Sequence, residues 1–426
     1  MEGYEVIGGT KIRGTVRISG AKNAVLPMLA ATLLVDRPCE IIDAPDLRDV
    51  TVMTQILERL GAKVVVGRDQ EGKRTLTVDA GDLWTHEVPD SLMRQMRSSI
   101  FLMGPLLGRM GKVRVSYPGG CAIGPRPIDL HLSSLQALGV RIEERGGYID
   151  ASTGGLRGTE IHLDFPSVGA TENTMMAAVT ARGITVIRNA AKEPEIVDLQ
   201  NFLNAVGAKI RGAGLDVIRI EGTHSLGGAR HQAIPDRIET GTFMAAACIT
   251  GGEVLMDNCI QEHVEAAIAK LQEAGAEIEE AGDHQLHVAG PSRVRAVDFK
   301  TLPYPGFPTD MQPQVMSLMT LGLGTSVITE TIFENRFNQA EELKRMGANV
   351  KTEGRTAVIK GVNRLFGATV AASDLRSGAA LVLAGLAAEG RTVVEGCHHI
   401  DRGYEGLESK LSLLGARVRR IPVNGS

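Results

Sequence analysis

The sequence predicts an α/β protein of two domains, three repeated units per domain, with the helices buried and the sheets outside. Three observations carry this. A phrase of the form apolar-x-x-apolar-Gly-Ala/Val-x-Ile/Val recurs six times. Two helical stretches, Thr174 to Thr180 and Ala379 to Ala388, are apolar nearly all round and belong inside a core rather than on its surface. The 426 residues exceed what one ordinary core accommodates.

The first copy of the phrase is Leu57-Glu58-Arg59-Leu60-Gly61-Ala62-Lys63-Val64. The others span Leu135 to Ile142, Leu203 to Ile210, Leu271 to Ile278, Leu343 to Val350 and Leu411 to Val418. Their glycines, Gly61, Gly139, Gly207, Gly275, Gly347 and Gly415, are separated by 68 to 78 residues. Two apolar residues three apart form the last turn of an amphipathic helix. The glycine just beyond is a left-handed cap, and the β-rich residues after it open a strand. Earlier in four units an apolar helix runs through a glycine turn into a second β-rich run, at Gly183, Gly251-Gly252, Gly324 and Gly390. No Pro-rich, Ser-rich or charged linker marks a domain boundary.

The 46 basic and 50 acidic residues give a net charge of −4, which offers no general attraction for nucleic acid or an acidic membrane. The apolar run from Ala24 to Val35 contains Pro27 and is too short to span a bilayer. The start of the sequence has no signal-peptide pattern. Cys39, Cys121, Cys248, Cys259 and Cys397 are scattered and lack CxxC spacing. That favours reduced thiols in a cytoplasmic protein, with no disulfide framework and no metal site.

Several stretches combine groups able to do chemistry. Pro118-Gly119-Gly120-Cys121-Ala122-Ile123-Gly124-Pro125-Arg126-Pro127 sets a thiol and a cation in a glycine-rich frame suited to an anionic substrate. From these residues alone, a surface turn with an incidental cysteine is the preferred reading. Lys22, at the start of an apolar helix, is placed for an anion. Arg97 lies in a stretch read as a helix rich in Met and Leu, and its planar fork suits phosphate or carboxylate. Ser167-Val168-Gly169 opens another helix and serves equally as diphosphate site or N-cap. Asp236 and Asp310 each precede an apolar helix, as general base or as helix-start acid. The Cys121 stretch is read as occupying their position in its own unit. Asp374-Leu375-Arg376 and Asp401-Arg402 add arginines that local Asp–Arg salt bridges could explain. No Walker loop, G-x-S-x-G elbow, HExxH or dinucleotide fingerprint is present.

Taken together, Gly20-Ala21-Lys22-Asn23, Pro118-Gly119-Gly120-Cys121, Arg126-Pro127, Pro235-Asp236-Arg237-Ile238-Glu239-Thr240-Gly241, Phe307-Pro308-Thr309-Asp310, Phe333-Glu334-Asn335-Arg336-Phe337 and Asp401-Arg402-Gly403-Tyr404 resemble, in order, the enolpyruvyl transferases of the peptidoglycan branch. The resemblance covers essentially the whole chain. It implies a two-domain inverse α/β barrel, with residues 21–233 as one domain and 1–20 with 234–426 as the other. It implies transfer of the enolpyruvyl group of phosphoenolpyruvate to the 3′-hydroxyl of UDP-N-acetylglucosamine, through a tetrahedral ketal, with no cofactor or metal. By the same resemblance Lys22, Arg126 and Arg402 hold the phosphate and carboxylate of phosphoenolpyruvate, with Arg97 and Arg376 nearby. Asn23 touches both substrates, Cys121 is the acid and Asp310 the base. Pro127, Ile128, Asp129 and Leu130 border the uracil, and Ser167, Val168 and Gly169 the diphosphate. Ile332 lies on the nucleotide side, and Glu334, Arg336 and Asp374 complete the expected substrate-binding set.

Two positions depart from some family members: Arg48 and Phe165 stand where those have lysine. The rival within the family is a 5-enolpyruvylshikimate-3-phosphate synthase, which lacks the cysteine loop and takes a smaller acceptor. From other classes, an inactive sugar-nucleotide-binding regulator and a repeat-built DNA clamp remain. The slight acidity and the lack of a periodic basic stripe argue against the clamp.

Overall fold

In the computed structural model of the chain, residues 2–119 and 128–423 are described. The chain divides into two compact units. Of the described residues, one holds those up to Ser19 and from Pro235 onward, the other Gly20 to Gly119 and Ile128 to Ile234.

Each marker glycine does what its position predicts. Gly61, Gly139, Gly207, Gly275, Gly347 and Gly415 have φ between 86° and 114°, a region closed to residues with a Cβ except at a strain cost. Before them lie the outer helices, such as Arg48–Leu60, which alternates buried and exposed positions. After each of the first five comes a hairpin, as in Lys63–Arg68 paired antiparallel with Arg74–Asp79.

The inner helices read differently. All eight residues of Gln312–Met319 are buried, and Lys22–Ala31 exposes only Asn23 partly. In Leu375–Ala387 the run Arg376 to Leu386 is wholly buried. A helix apolar all round must be enclosed, and each fully buried Leu, Ile or Met contributes about 1.5–3 kcal/mol. Among the described residues, six sheets carry the strands, five of four strands and one of three. Helices inside and sheets outside is the inverse α/β arrangement, repeated in each unit.

Each four-stranded sheet joins an antiparallel trio to one parallel edge strand. In Lys209–Arg211, Val217–Glu221, Ile184–Arg188 and Glu160–His162, only the last is parallel to its neighbour. The parallel strand is normally the one that enters the inner helix, as Thr369–Ala371 enters Leu375–Ala387 before Arg391–Glu395. At the two chain crossings this assignment is exchanged. Arg13–Arg17 leads into the Lys22 helix, yet it pairs with Glu253–Asp257. Arg230–Gln232 leads into the Arg237 helix, yet it pairs with Cys39–Ile42. Among the described residues, the sheet of the sixth repeat ends on the single strand Arg417–Pro422 rather than a hairpin. The N-terminal strand Glu2–Ile7 fills the gap, antiparallel to both Arg391–Glu395 and Arg417–Pro422.

Two sequence expectations need correction. Arg97–Leu102 is a 3-10 turn, and the α-helix begins at Met103. Pro105 lacks an N–H and fits an α-helix only in its first turn. The equation of Cys121 with Asp236 and Asp310 also fails. Residues 117–128 fall between strand Lys112–Ser116 and outer helix Asp129–Ala137. In later repeats that interval carries Arg336 and Arg402, whereas Asp236 and Asp310 precede inner helices.

Candidate functional site

In the Gly20–Ile234 unit, Lys22 is the first residue of its inner helix and is 7% exposed. Its Nζ lies 2.7 Å from the carboxylate of Asp49, itself buried, in the first turn of the next helix. An acid in a first turn reads as ordinary helix stabilisation, which is why sequence inspection passes over Asp49. Asn23 follows, half-buried, and Arg48 is exposed beside Asp49. Arg97 opens the 3-10 turn and is half-buried. Cys121, Arg126 and Pro127 lie outside the described residues. The root of their segment is described. Gly119 N donates to Met93 O at 3.1 Å, and a Cβ on Gly119 would fall 1.8 Å from Arg94 O. That glycine is required by close backbone approach.

Ser167 caps the Val168–Ala178 helix, its Oγ accepting from Ala170 N at 3.3 Å. Ile128 is buried and precedes the Asp129–Ala137 helix, where Asp129 is exposed and Leu130 half-buried. The two helix starts are joined through residues the sequence reading left out. His131 Nδ1 is 3.1 Å from Asn173 Nδ2, and a Cβ on Gly169 would meet the His131 ring at 3.0 Å. Asn173 also accepts from Gly104 N and donates to Ile100 O. Ser167, Val168 and Gly169 are thereby held beside Ile128, Asp129 and Leu130. One turn further on, Glu172 is 1% exposed, and neither of its oxygens has a hydrogen-bond partner among the described residues. Burial pushes this carboxyl well above the usual range, and the nearby carboxylates of Glu195 and Glu193 push it further.

In the other unit, three inner helices begin near an aspartate, and two of these aspartates are caps. Asp236 Oδ1 accepts from Ile238 N and Glu239 N. Asp374 Oδ1 accepts from Arg376 N and Ser377 N, and Ser377 Oγ accepts from Asp374 N in a capping box. Asp310 is the exception. Its Oδ1 accepts from Arg336 Nη2 at 2.7 Å, and its Oδ2 from Arg376 Nε and Nη2 at 3.2 and 3.1 Å. Burial would raise its pKa, but the charges of Arg376, then Arg336 and Arg237, more than offset this and hold it far below the carboxylate range. Arg336 and Arg376 are 4% and 2% exposed. Arg336 Nε and Arg376 Nη1 have no acceptor among the described residues. Two cations against one carboxylate, with buried donors left over, form a station for an anion.

Behind Arg376, the Tyr404 ring lies 5.2 Å from its guanidinium carbon. Gln314 Nε2 donates to Tyr404 OH and Thr242 Oγ1 at 3.0 and 3.1 Å, fixing that ring. Ile332 is half-buried, and Glu334 is exposed with a 2.9 Å pair to Arg355. Arg402 is half-buried. Among the described residues, the two sequence-adjacent Asp–Arg pairs each include a side chain engaged by a distant partner. Arg376 turns to Asp310 and not to Asp374, since residues two apart on a helix do not face each other. Asp401 pairs with Arg420 at 2.8 Å through both oxygens.

Comparison with known proteins follows the same lines. The family model for EPSP synthase (3-phosphoshikimate 1-carboxyvinyltransferase) matches residues 6–411. UDP-N-acetylglucosamine 1-carboxyvinyltransferase 1 of Symbiobacterium thermophilum is 62% identical over 421 residues, covering 99% of this chain and 95% of that one. The chain belongs to this enolpyruvyl transferase family. The protein of the same name from Carboxydothermus hydrogenoformans is 52% identical over 99% of both chains. Among solved structures, the enolpyruvyl transferase NikO from Streptomyces tendae superposes with a TM-score of 0.88 at 26% identity, over 98% of each chain. EPSP synthase from Acinetobacter baumannii gives 0.76 at 17% identity, over 99% of this chain and 100% of that one, a likeness of fold. The chain is accordingly an enzyme of the transferase class with the inverse α/β barrel fold. None of its described helices is long and apolar enough to cross a membrane.

Proposed function

We propose that this enzyme transfers the enolpyruvyl group of phosphoenolpyruvate to the 3′-hydroxyl of UDP-N-acetylglucosamine and releases phosphate, the first committed step of peptidoglycan synthesis. The observation that carries the reading is the Asp310 station. It is an ionised carboxylate between two buried guanidinium groups that retain donors for an anion. The acceptor follows from the relatives at 52–62% identity, whose names specify UDP-N-acetylglucosamine, whereas the EPSP synthase structures are at 17%.

The chemistry is an addition followed by an elimination. Asp310 takes the proton of the 3′-hydroxyl as its oxygen bonds to C2 of phosphoenolpyruvate. Cys121 delivers a proton to C3, and a tetrahedral ketal forms. Loss of a C3 proton and of phosphate restores the double bond. Lys22, Arg97, Arg126, Arg336, Arg376 and Arg402 balance the phosphate and carboxylate charges, which fixed cations do best in a site closed to water. Lys22 is held rigid for this by Asp49. Asn23 and Asp374 orient the substrates. Pro127, Ile128, Asp129 and Leu130 border the uracil, Ser167, Val168 and Gly169 the diphosphate, and Ile332 and Glu334 the nucleotide side. The reaction as written balances without a cofactor. A cytoplasmic location accords with Cys39, Cys248, Cys259 and Cys397, which are all free and buried.

Phosphate release from phosphoenolpyruvate tests the reading. It should require UDP-N-acetylglucosamine and fall at least about 100-fold in Cys121→Ser and Asp310→Ala. Turnover with shikimate 3-phosphate instead, or full rates in both variants, would overturn it.

A further inference from the structure

Glu330 is a carboxylate the proposed chemistry does not use. It directly follows strand Thr325–Thr329 and is 1% exposed. Its Oε1 accepts from Thr301 Oγ1 at 2.7 Å, Ile332 N at 2.8 Å and Phe333 N at 3.2 Å. Its Oε2 accepts from Thr309 Oγ1 at 2.9 Å. No cation pairs with it among the described residues. A buried carboxylate costs several kcal/mol in desolvation, and four neutral donors, three on Oε1 and one on Oε2, offset that cost.

What those donors belong to is informative. Thr309 opens the 3-10 turn Thr309–Met311 that carries Asp310. Ile332 and Phe333 begin the segment that carries Arg336, the residue bonded to Asp310 Oδ1. One buried carboxylate thus ties down both ends of the Asp310–Arg336 pair and fixes Ile332 as well. A general base displaced by 1 Å can lose about 100-fold in rate, so a rigid anchor at this point has a catalytic consequence. Thr331, next in sequence, adds a second tie to Thr301 through its N–H at 2.9 Å and its hydroxyl.

We infer that Glu330 is a positioning residue that sets Asp310 through Thr309 and sets the Ile332–Arg336 segment through two backbone N–H groups. The inference rests on the proposed reading of Asp310 as base. Thr309→Val cuts only the Oε2 link and keeps the side chain's shape. Thr309→Ser keeps the hydroxyl. Glu330→Gln replaces the charged acceptor on both sides.

The test is steady-state phosphate release by the full chain, with phosphoenolpyruvate and UDP-N-acetylglucosamine, alongside thermal melting. Thr309→Val should lower kcat by about tenfold or more with KM for UDP-N-acetylglucosamine within about twofold, as expected when orientation rather than binding is lost. Thr309→Ser should return to within about twofold of wild type, since the hydroxyl and its bond are retained. Glu330→Gln, where it folds, should lower kcat and also raise that KM, because Ile332 loses its anchor. The inference is overturned if Thr309→Val keeps wild-type kcat, or if Thr309→Ser is as impaired as Thr309→Val. Wild-type enzyme inactive on these substrates would instead sink the reading of the reaction.

Discussion

Asp310 and Glu172 are two carboxyl groups at inner helices, one in each unit, and the fold shifts their pKa values in opposite directions. Glu172 sits one turn inside its helix, enclosed, with no partner for either oxygen among the described residues. Burial pushes its pKa well above the usual carboxyl range. Asp310 sits just before its helix, with a side chain 30% exposed and two guanidinium groups against it. Those charges strip its proton. Low dielectric disfavours a lone charge, whereas a charge already matched by fixed opposite charges is favoured. A carboxylate meant to receive a proton must be ionised when the substrate arrives, as one of the second kind is. A carboxyl of the first kind costs stability as pH rises.

The largest effect expected from breaking this contrast is at Asp310. Asp310→Asn keeps the shape and loses the charge, so kcat should fall about 100-fold or more, while Asp236→Asn, an equally good cap, should change it little. Asp310→Ala should in addition cost about 3–5 kcal/mol of stability, because two buried cations lose their counterion. Equal kinetics for the two asparagine variants would mean that Asp310 is merely another cap.

A smaller effect follows from weakening the clamp. Removing the charge that lowers it most, as in Arg376→Met, should raise the Asp310 pKa, so activity on the acid side should fail at a higher pH than in the wild type. The sign for stability is the same. A carboxylate with a depressed folded-state pKa stabilises fully above the unfolded value of about 3.9, and that stability drains as pH falls below it. An acid limb of the kcat profile unmoved in Arg376→Met would show that the clamp does not set the charge of Asp310.

The smallest effect lies with Glu172, and its sign is reversed. A carboxyl with a raised folded-state pKa costs nothing below the unfolded value of about 4.3, then about 1.4 kcal/mol per pH unit above it until it ionises. Glu172→Gln should therefore melt like wild type near pH 4.5 and progressively higher than wild type toward pH 8. A melting difference that stays constant with pH would contradict a protonated Glu172.

Much of this protein is legible along the chain. The glycine after each outer helix requires positive φ, a property of one residue and its neighbours, so six evenly spaced copies count the repeats. Helices apolar on every side announce that they are enclosed. The motif residues of the site can be named in order from the sequence, because each lies in a short local phrase. What local sequence does not carry is which groups meet. Asp236, Asp310 and Asp374 look alike in one dimension, each an aspartate before an apolar helix. Only the tertiary structure brings Arg336 and Arg376, 26 and 66 residues away, to Asp310 and leaves the others as caps. The same holds for Asp49 on Lys22, His131 beside Gly169, Glu330 on Thr309, and the exchanged strands Arg13–Arg17 and Arg230–Gln232. Backbone conformation and enclosure follow from spacing and residue type over a few turns. Charge pairing and strand exchange depend on how distant repeats close on one another, and no periodicity in the sequence encodes that.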